Sequence, residues 1–341
     1  MPGLLSWISE LFGSKQGAPP PTGSRLLNPA ASSTINPVTG TATLHKLEQH
    51  LFCWLLDSPP SALTPNNGDA HAVLTKLANR VQQGTLDELP QQPETLPMLL
   101  RALADPNVSR QEISDILLQD SELSDQLLIM ANSPFFRPGE DAIDSVDKAV
   151  FMLGINGIRN IISATLLRRM MAARNSGEAL FAQRAWHWGL CCGRAAELIA
   201  QIQNKDGSAY FLVGLLPALS YLTLHRETLR IYRSAQASPD IRPSVIQQAL
   251  QLHAWDISQH IANHWNLPPR YSAYLLEAER PVPRKPDAPL NDGIILGTRE
   301  ILRHSHQRNM GETELLGLLA LTEAQFQSVH QTLLKSLREG N

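Results

Sequence analysis

Apolar residues recur at three- and four-residue spacings from Leu44 almost to the end of the chain, and strand-like alternation is nearly absent. That periodicity restricts the fold more than any other feature, because it places apolar side chains along one face of one helix after another. Residues 44–57 set Leu44, Leu47, Leu51, Trp54 and Leu55 on one stripe, and Pro59 and Pro60 end that helix. Further helical patterns cover 69–83, 97–105, 110–118 and 121–130. Ser109 with Glu112 forms a capping box, and Ser121 is the expected cap of the fourth pattern. Ser145 is expected to open a helix that Gly154 closes, and Asn156 to start a longer one. Patterns at 179–203, 243–265, 271–279, 290–303 and 312–338 follow. Residues 209–216 (AYFLVGLL) are apolar nearly all round, so they predict a central buried helix that Pro217 kinks or stops. The chain is expected to be all-α.

Two segments precede this array. Residues 3–12 (GLLSWISELF) place Leu4, Leu5, Trp7, Ile8, Leu11 and Phe12 on one helical face. They lack the basic start and cleavage site of a secretory signal. Docking on a partner or another domain is one reading. Peripheral membrane contact is the other, weakened by the lack of a basic polar face. Residues 13–42 are rich in Gly, Pro, Ser, Thr and Ala and read as a disordered linker. The expected divisions are an amphipathic helix at 1–12, the linker at 13–42, a small helical region at 43–91, a main domain at 92–303 and a C-terminal helical segment at 304–341.

Composition then excludes several functions. The 341 residues carry a net charge near −3, so the basic excess that neutralises phosphates is missing and nucleic acid is not an expected partner. The only cysteines, Cys53, Cys191 and Cys192, form neither a disulfide framework nor a Cys-x-x-Cys zinc pair. They fit a reducing compartment, and a cytoplasmic location is the expectation. No run of eighteen apolar residues occurs. The glycine-rich signatures of dinucleotide and P-loop sites, the Gly-x-Ser-x-Gly elbow and His-Glu-x-x-His are all absent.

The remaining polar clusters admit two readings each. His253, Asp256, His260 and His264 share one helical stripe, which suits either metal chelation or a polar helix flank. Glu140, Asp141, Asp144 and Asp147 lack the glycine and terminal glutamate of a calcium loop and better suit a helix start. Arg168, Arg169 and Arg174 end a helix, where they complement its dipole or form an anion site. Cys191 and Cys192 point about 100° apart and suit a buried structural role.

Residues 94–174 carry a more specific pattern. It comprises Leu96-Pro97, Asp120, Leu123, Leu127, Leu128, then Ala131-Asn132-Ser133, Ile143, Ser145-Val146, Ala149-Val150 and Leu153-Gly154. In order and spacing it resembles the HDOD family, with Ser121 in place of the usual proline. The resemblance continues more weakly to about residue 303 through Trp186, Gly214-Leu215-Leu216, Trp265 and Leu267-Pro268. It implies a helical fold related to HD-type phosphohydrolases, whose His and Asp ligands hold one or two metal ions that activate water. In this register Trp188, Pro217, Ala218 and Ala254 stand where those ligands would be, and a later His-His pair near Glu277-Ala278 is missing. His187 and His253 lie one residue from two of those positions.

The resemblance therefore implies a non-catalytic bacterial signal-transduction module that needs no cofactor and acts through protein partners. Asn132, Ser133 and the 134–143 loop form its candidate surface, with a helix cap as the alternative for that polar pair. Two other functions are weighed against it. One is a metal-dependent phosphohydrolase. The other is a small-molecule sensor, with Trp186, Trp188, Ala218 and Ala254 lining the former metal cavity.

Overall fold

Side-chain caps open several of the helices. A computed structural model describes residues 37–64, 69–92, 108–133, 136, 142–235 and 241–338, and twelve helices and no strands occur among them. The expected helices at 1–12 and 97–105, with Leu96 and Pro97, lie outside the described residues. The helices are α1 (Pro37–Leu55), α2 (Asp69–Gln83), α3 (Arg110–Leu118), α4 (Ser121–Ala131), α5 (Val146–Met170) and α6 (Ser176–Ile202). They continue as α7 (Gly207–Ala235), α8 (Pro243–His264), α9 (Pro269–Glu277), α10 (Pro289–His304), α11 (Glu312–Leu318) and α12 (Glu323–Arg338). The all-α expectation holds.

Ser109 caps α3 by accepting from the Glu112 N–H at 3.0 Å, and Ser145 caps α5 through the Lys148 N–H. The cap of α4 is Asp120 rather than Ser121: its Oδ1 accepts from the Leu123 N–H at 2.9 Å. A carboxylate at that site also meets the positive end of the helix dipole. Gly154 sits at φ 66° and ψ 178° and kinks α5 between its two helical halves. The expected helical region 312–338 divides in two, and Thr322 and Gln325 form a reciprocal capping box that starts α12.

Two further expectations need correction. Residues 37–42, read as linker, belong to α1, because Gly40 is buried against the C-terminal part of the chain. A Cβ there would lie 2.7 Å from Pro283 Cγ, so close packing overrides the weak local propensity. Pro217 does not stop its helix either, and α7 runs through it for 29 residues. The residues around it are buried on every side, and their packing offsets an interior proline cost of about 3 kcal/mol.

Helices α6 and α7 form the centre, joined by the short 203–206 turn. Helix α8 packs on α7 and α10 on α6. Helices α3 and α4 pack on α5, which in turn contacts α7. Helix α1 leans on α10 and α6, and α12 covers α6. The regions 43–91 and 304–341 thus add to the central core. Helices α5 and α7 are long and apolar enough to cross a membrane, but the apolar window of α7 is wholly buried among its neighbours.

Small residues permit the closest crossings. A Cβ on Gly189 would lie 2.6 Å from Ala218 Cβ, and one on Gly214 would lie 2.5 Å from Gly193 Cα. On another face of α6, Gly293 meets Ala196 and Gly297 meets Cys192, each at 2.6 Å from a hypothetical Cβ. Buried carboxylates tie the layers together. Glu227 of α7 pairs with Arg80 of α2 at 3.0 Å and Arg230 at 2.7 Å. Glu178 pairs with Arg226, and Glu300 with Arg299 and His330.

Candidate functional site

In the register of the resemblance, the four positions that would carry metal ligands lie on α6, α7 and α8, and none offers a donor. Trp188 of α6 is 2% exposed, stacks on Tyr221 of α7 with ring centroids 4.7 Å apart, and donates its indole N–H to Thr298 Oγ1 at 2.9 Å. Its polar atom is therefore satisfied inside the core. Ala218 is fully buried against Gly189, where α6 and α7 come too close for a larger group. Pro217 sits in the interior of α7. Ala254 is buried on α8, and one turn on, Ser258 donates to its carbonyl and bonds Ser220 of α7 at 2.8 Å.

Tryptophan, proline and alanine side chains cannot coordinate a cation, so the residues present do not fit the HD-type metal site. Among the described residues, no group of three or more His, Cys, Asp or Glu side chains is placed to hold a metal ion.

The neighbouring histidines do not replace the lost ligands. Burial, with Arg168 and His304 close by, pushes His187 down to about 4. A cation-lined position of that kind repels a metal ion. His253 Nδ1 lies 3.5 Å from Asp256, which is exposed, and His264 is exposed at the end of α8. The stripe with His260 stays on one helix flank and gains no third ligand from another element, which is the polar-flank alternative.

The other sequence candidates have structural roles. Asn132 Nδ2 donates to the carbonyls of Leu128 and Ile143 at 2.9 and 2.6 Å, and its Oδ1 accepts from the Ile143 N–H at 2.8 Å. Ser133 donates to Met130 O. Asn132 pins Ile143 to the end of α4, whereas Ser133 bonds within that helix end, so the Asn132 amide is already used. Most of the loop lies outside the described residues. Arg168 and Arg169 in the last turn of α5 and Arg174 beyond it do not form one anion site. Arg168 lies over the Trp186 ring, Arg169 pairs with Glu122, and Arg174 pairs with Glu88. Asp144 pairs with Lys148, and Asp147 lies in the first turn of α5. Cys191 and Cys192 are fully buried, and burial pushes both thiols up.

Several matched residues hold the frame. Leu153 is half-buried beside the Gly154 kink, and Gly214 allows the α6–α7 crossing. Trp265 donates to Pro90 O at 3.0 Å, which ties α8 to the segment before α3, and Pro268 precedes α9.

A cavity of about 440 Å³ lies over the Trp188–Tyr221 stack. Helix α1 supplies one wall through Leu44, Leu47, Glu48 and Leu51. Pro217 on α7, Gln251 and Trp255 on α8, and Ile294 and Thr298 on α10 complete its lining with the 279–281 turn. Of the four residues expected to line the former metal cavity, only Trp188 does so. Ala218 and Ala254 are packed into helix contacts, and Trp186 is buried beneath Arg168. The α1 wall escaped sequence reasoning, since nothing in residues 37–55 shows which helices they cover. Burial raises the Glu48 carboxyl above its usual range. Burial, with Glu48 nearby, likewise raises the Tyr221 hydroxyl.

Comparison with known proteins agrees with this framework. The HDOD domain model matches residues 89–281. A Treponema pallidum (strain Nichols) protein described as uncharacterised is 26% identical over 209 residues. The match spans 60% of this chain but only 40% of that relative. A Shewanella amazonensis structure, provisionally described as a metal-dependent phosphohydrolase, is 16% identical with a TM-score of 0.57, covering 80% of this chain and 99% of its own. An HDOD domain protein of unknown function from Geobacter sulfurreducens is 17% identical with a TM-score of 0.55, covering 79% and 97%. A Marinobacter aquaeolei protein, provisionally described as acting in signal transduction, is 18% identical with a TM-score of 0.52, covering 83% and 68%. At these identities the structures establish a shared fold and no shared activity. The family match covers more than half of the chain, and the chain belongs to the HDOD family.

Proposed function

We propose that this protein is a non-catalytic regulatory module that works through protein partners in a signal-transduction pathway, in a cytoplasmic setting. One observation carries the reading. The helix positions that would hold catalytic metal ligands are occupied by Trp188, Pro217, Ala218 and Ala254, and Trp188 is built into the core by its stack and its bond to Thr298. A hydrolase of the HD type needs a metal-activated water at that place, and these side chains cannot hold the ion. A signalling function fits a domain that keeps the family's frame without that chemistry.

The test is affinity purification of the full chain from its own cells, with mass spectrometry of what is retained. The expected result is a reproducible, near-stoichiometric protein partner. A preparation free of partners that hydrolyses a phosphodiester in a chelator-sensitive manner would overturn the reading.

A further inference from the structure

The cavity over Trp188 has a chemistry of its own. Its volume of about 440 Å³ falls in the range of small-molecule sites. Three aromatic rings line it: Trp188, Tyr221 and Trp255. Trp188 and Tyr221 are fixed by mutual stacking, and Trp188 also by its bond to Thr298, so that part of the surface is preorganised.

The charged lining is unbalanced. Glu48, Asp256 and Glu279 contribute three carboxylates, against the guanidinium of Arg280 and the imidazole of His45. Glu48 stands beside the rings, held by Gln251 at 3.3 Å and His45 at 3.7 Å. An excess of carboxylates disfavours an anionic ligand such as a phosphate ester. Aromatic faces and carboxylates together favour a cation, through ring quadrupoles and direct charge. The remaining walls, Leu44, Leu47, Leu51 and Ile294, suit an apolar body.

We propose that this cavity is a binding site for a small organic cation, an amine or quaternary ammonium carrying an apolar or aromatic body. Such a ligand would bridge α1, α7, α8 and α10, elements that contribute to the lining from both ends of the chain. Its binding would therefore change the docking of α1 on the bundle, which is a route for an input signal. The proposal goes beyond the regulatory reading and does not depend on it, since a ligand site is compatible with either a silent or an active domain.

The test uses the full chain and isothermal titration calorimetry with benzyltrimethylammonium, with phenyl phosphate as an anionic probe of similar size. Saturable one-site binding of the cation with a dissociation constant below about 1 mM is expected, with phenyl phosphate at least about ten-fold weaker. Glu48→Gln, which keeps the side-chain shape, should weaken the cation about ten-fold without changing the circular dichroism spectrum. Leu44→Trp, which fills the cavity from the partly buried face of α1, should abolish binding. Absence of saturable binding up to about 10 mM would overturn the proposal. Equal or tighter binding of phenyl phosphate would do the same, as would unchanged affinity in both variants.

Discussion

At the residue scale, burial decides which polar side chains can act. Trp188 fills a core position with its stack and its indole hydrogen bond. Trp188→Ala should cost about 3–5 kcal/mol, read from urea denaturation. Asn132→Ala should cost about 1–3 kcal/mol, because the two backbone groups of Ile143 and the Leu128 carbonyl lose their bonds at once. Ser133→Ala should cost less than about 1 kcal/mol. His225 gives a pH prediction. Burial, with Arg226 and Arg233 nearby and despite Glu178, pushes it down to about 4, and its Nδ1 has no hydrogen-bond partner. Between its unfolded value of about 6.5 and that value, the unfolded chain takes up a proton that the fold refuses, so stability falls as pH drops. The His225 contribution to that loss is about 2 kcal/mol between pH 7 and pH 5. His225→Phe keeps the stack on Phe181, and its urea midpoint should fall correspondingly less over that interval.

At the element scale, α6 is the helix to which the others are fitted. Gly189 and Gly193, one turn apart, admit α7, whereas Cys192 and Ala196 admit α10. Gly297→Ala should destabilise by about 1–3 kcal/mol or more, since its Cβ would meet the Cys192 backbone and neither helix can yield alone. Gly177→Ala should instead stabilise by about 0.5–1 kcal/mol, because that position is exposed in the first turn of α6. Thermal denaturation of both variants checks the opposite signs. Much of this layer is legible in sequence. Helical spacing and Ser109, Ser145 and Gly154 locate elements to within a few residues, because caps and kinks are local chemistry. The Thr322–Gln325 box and the Asp120 cap are equally local, and a closer reading of 312–338 and 120–123 finds them. Continuation of α7 through Pro217 is not local. Packing from α6 and α8 settles it, and sequence spacing carries no trace of which helices will be neighbours.

At the scale of the whole molecule, the fold is larger than the segment that identifies its family. Residues 89–281 match the family model, yet α10 packs deeply on α6, and α12 reaches Glu300 through His330. A fragment of residues 89–281 should therefore lack a fixed tertiary structure, with near-ultraviolet circular dichroism lost while helical content remains. The register that sets Trp188, Pro217, Ala218 and Ala254 at the ligand positions rests on the neighbouring framework residues of the sequence. The cavity could not be read from sequence, since it arises where α1, far away along the chain, covers Trp188 and Pro217. We propose that this HDOD domain holds no catalytic metal, and metal analysis of the purified full chain is the direct test. After incubation with manganese and removal of unbound ions, mass spectrometry should find fewer than about 0.1 manganese ions per chain. One or two retained ions per chain, lost on chelation together with phosphodiester hydrolysis, would overturn the non-catalytic reading.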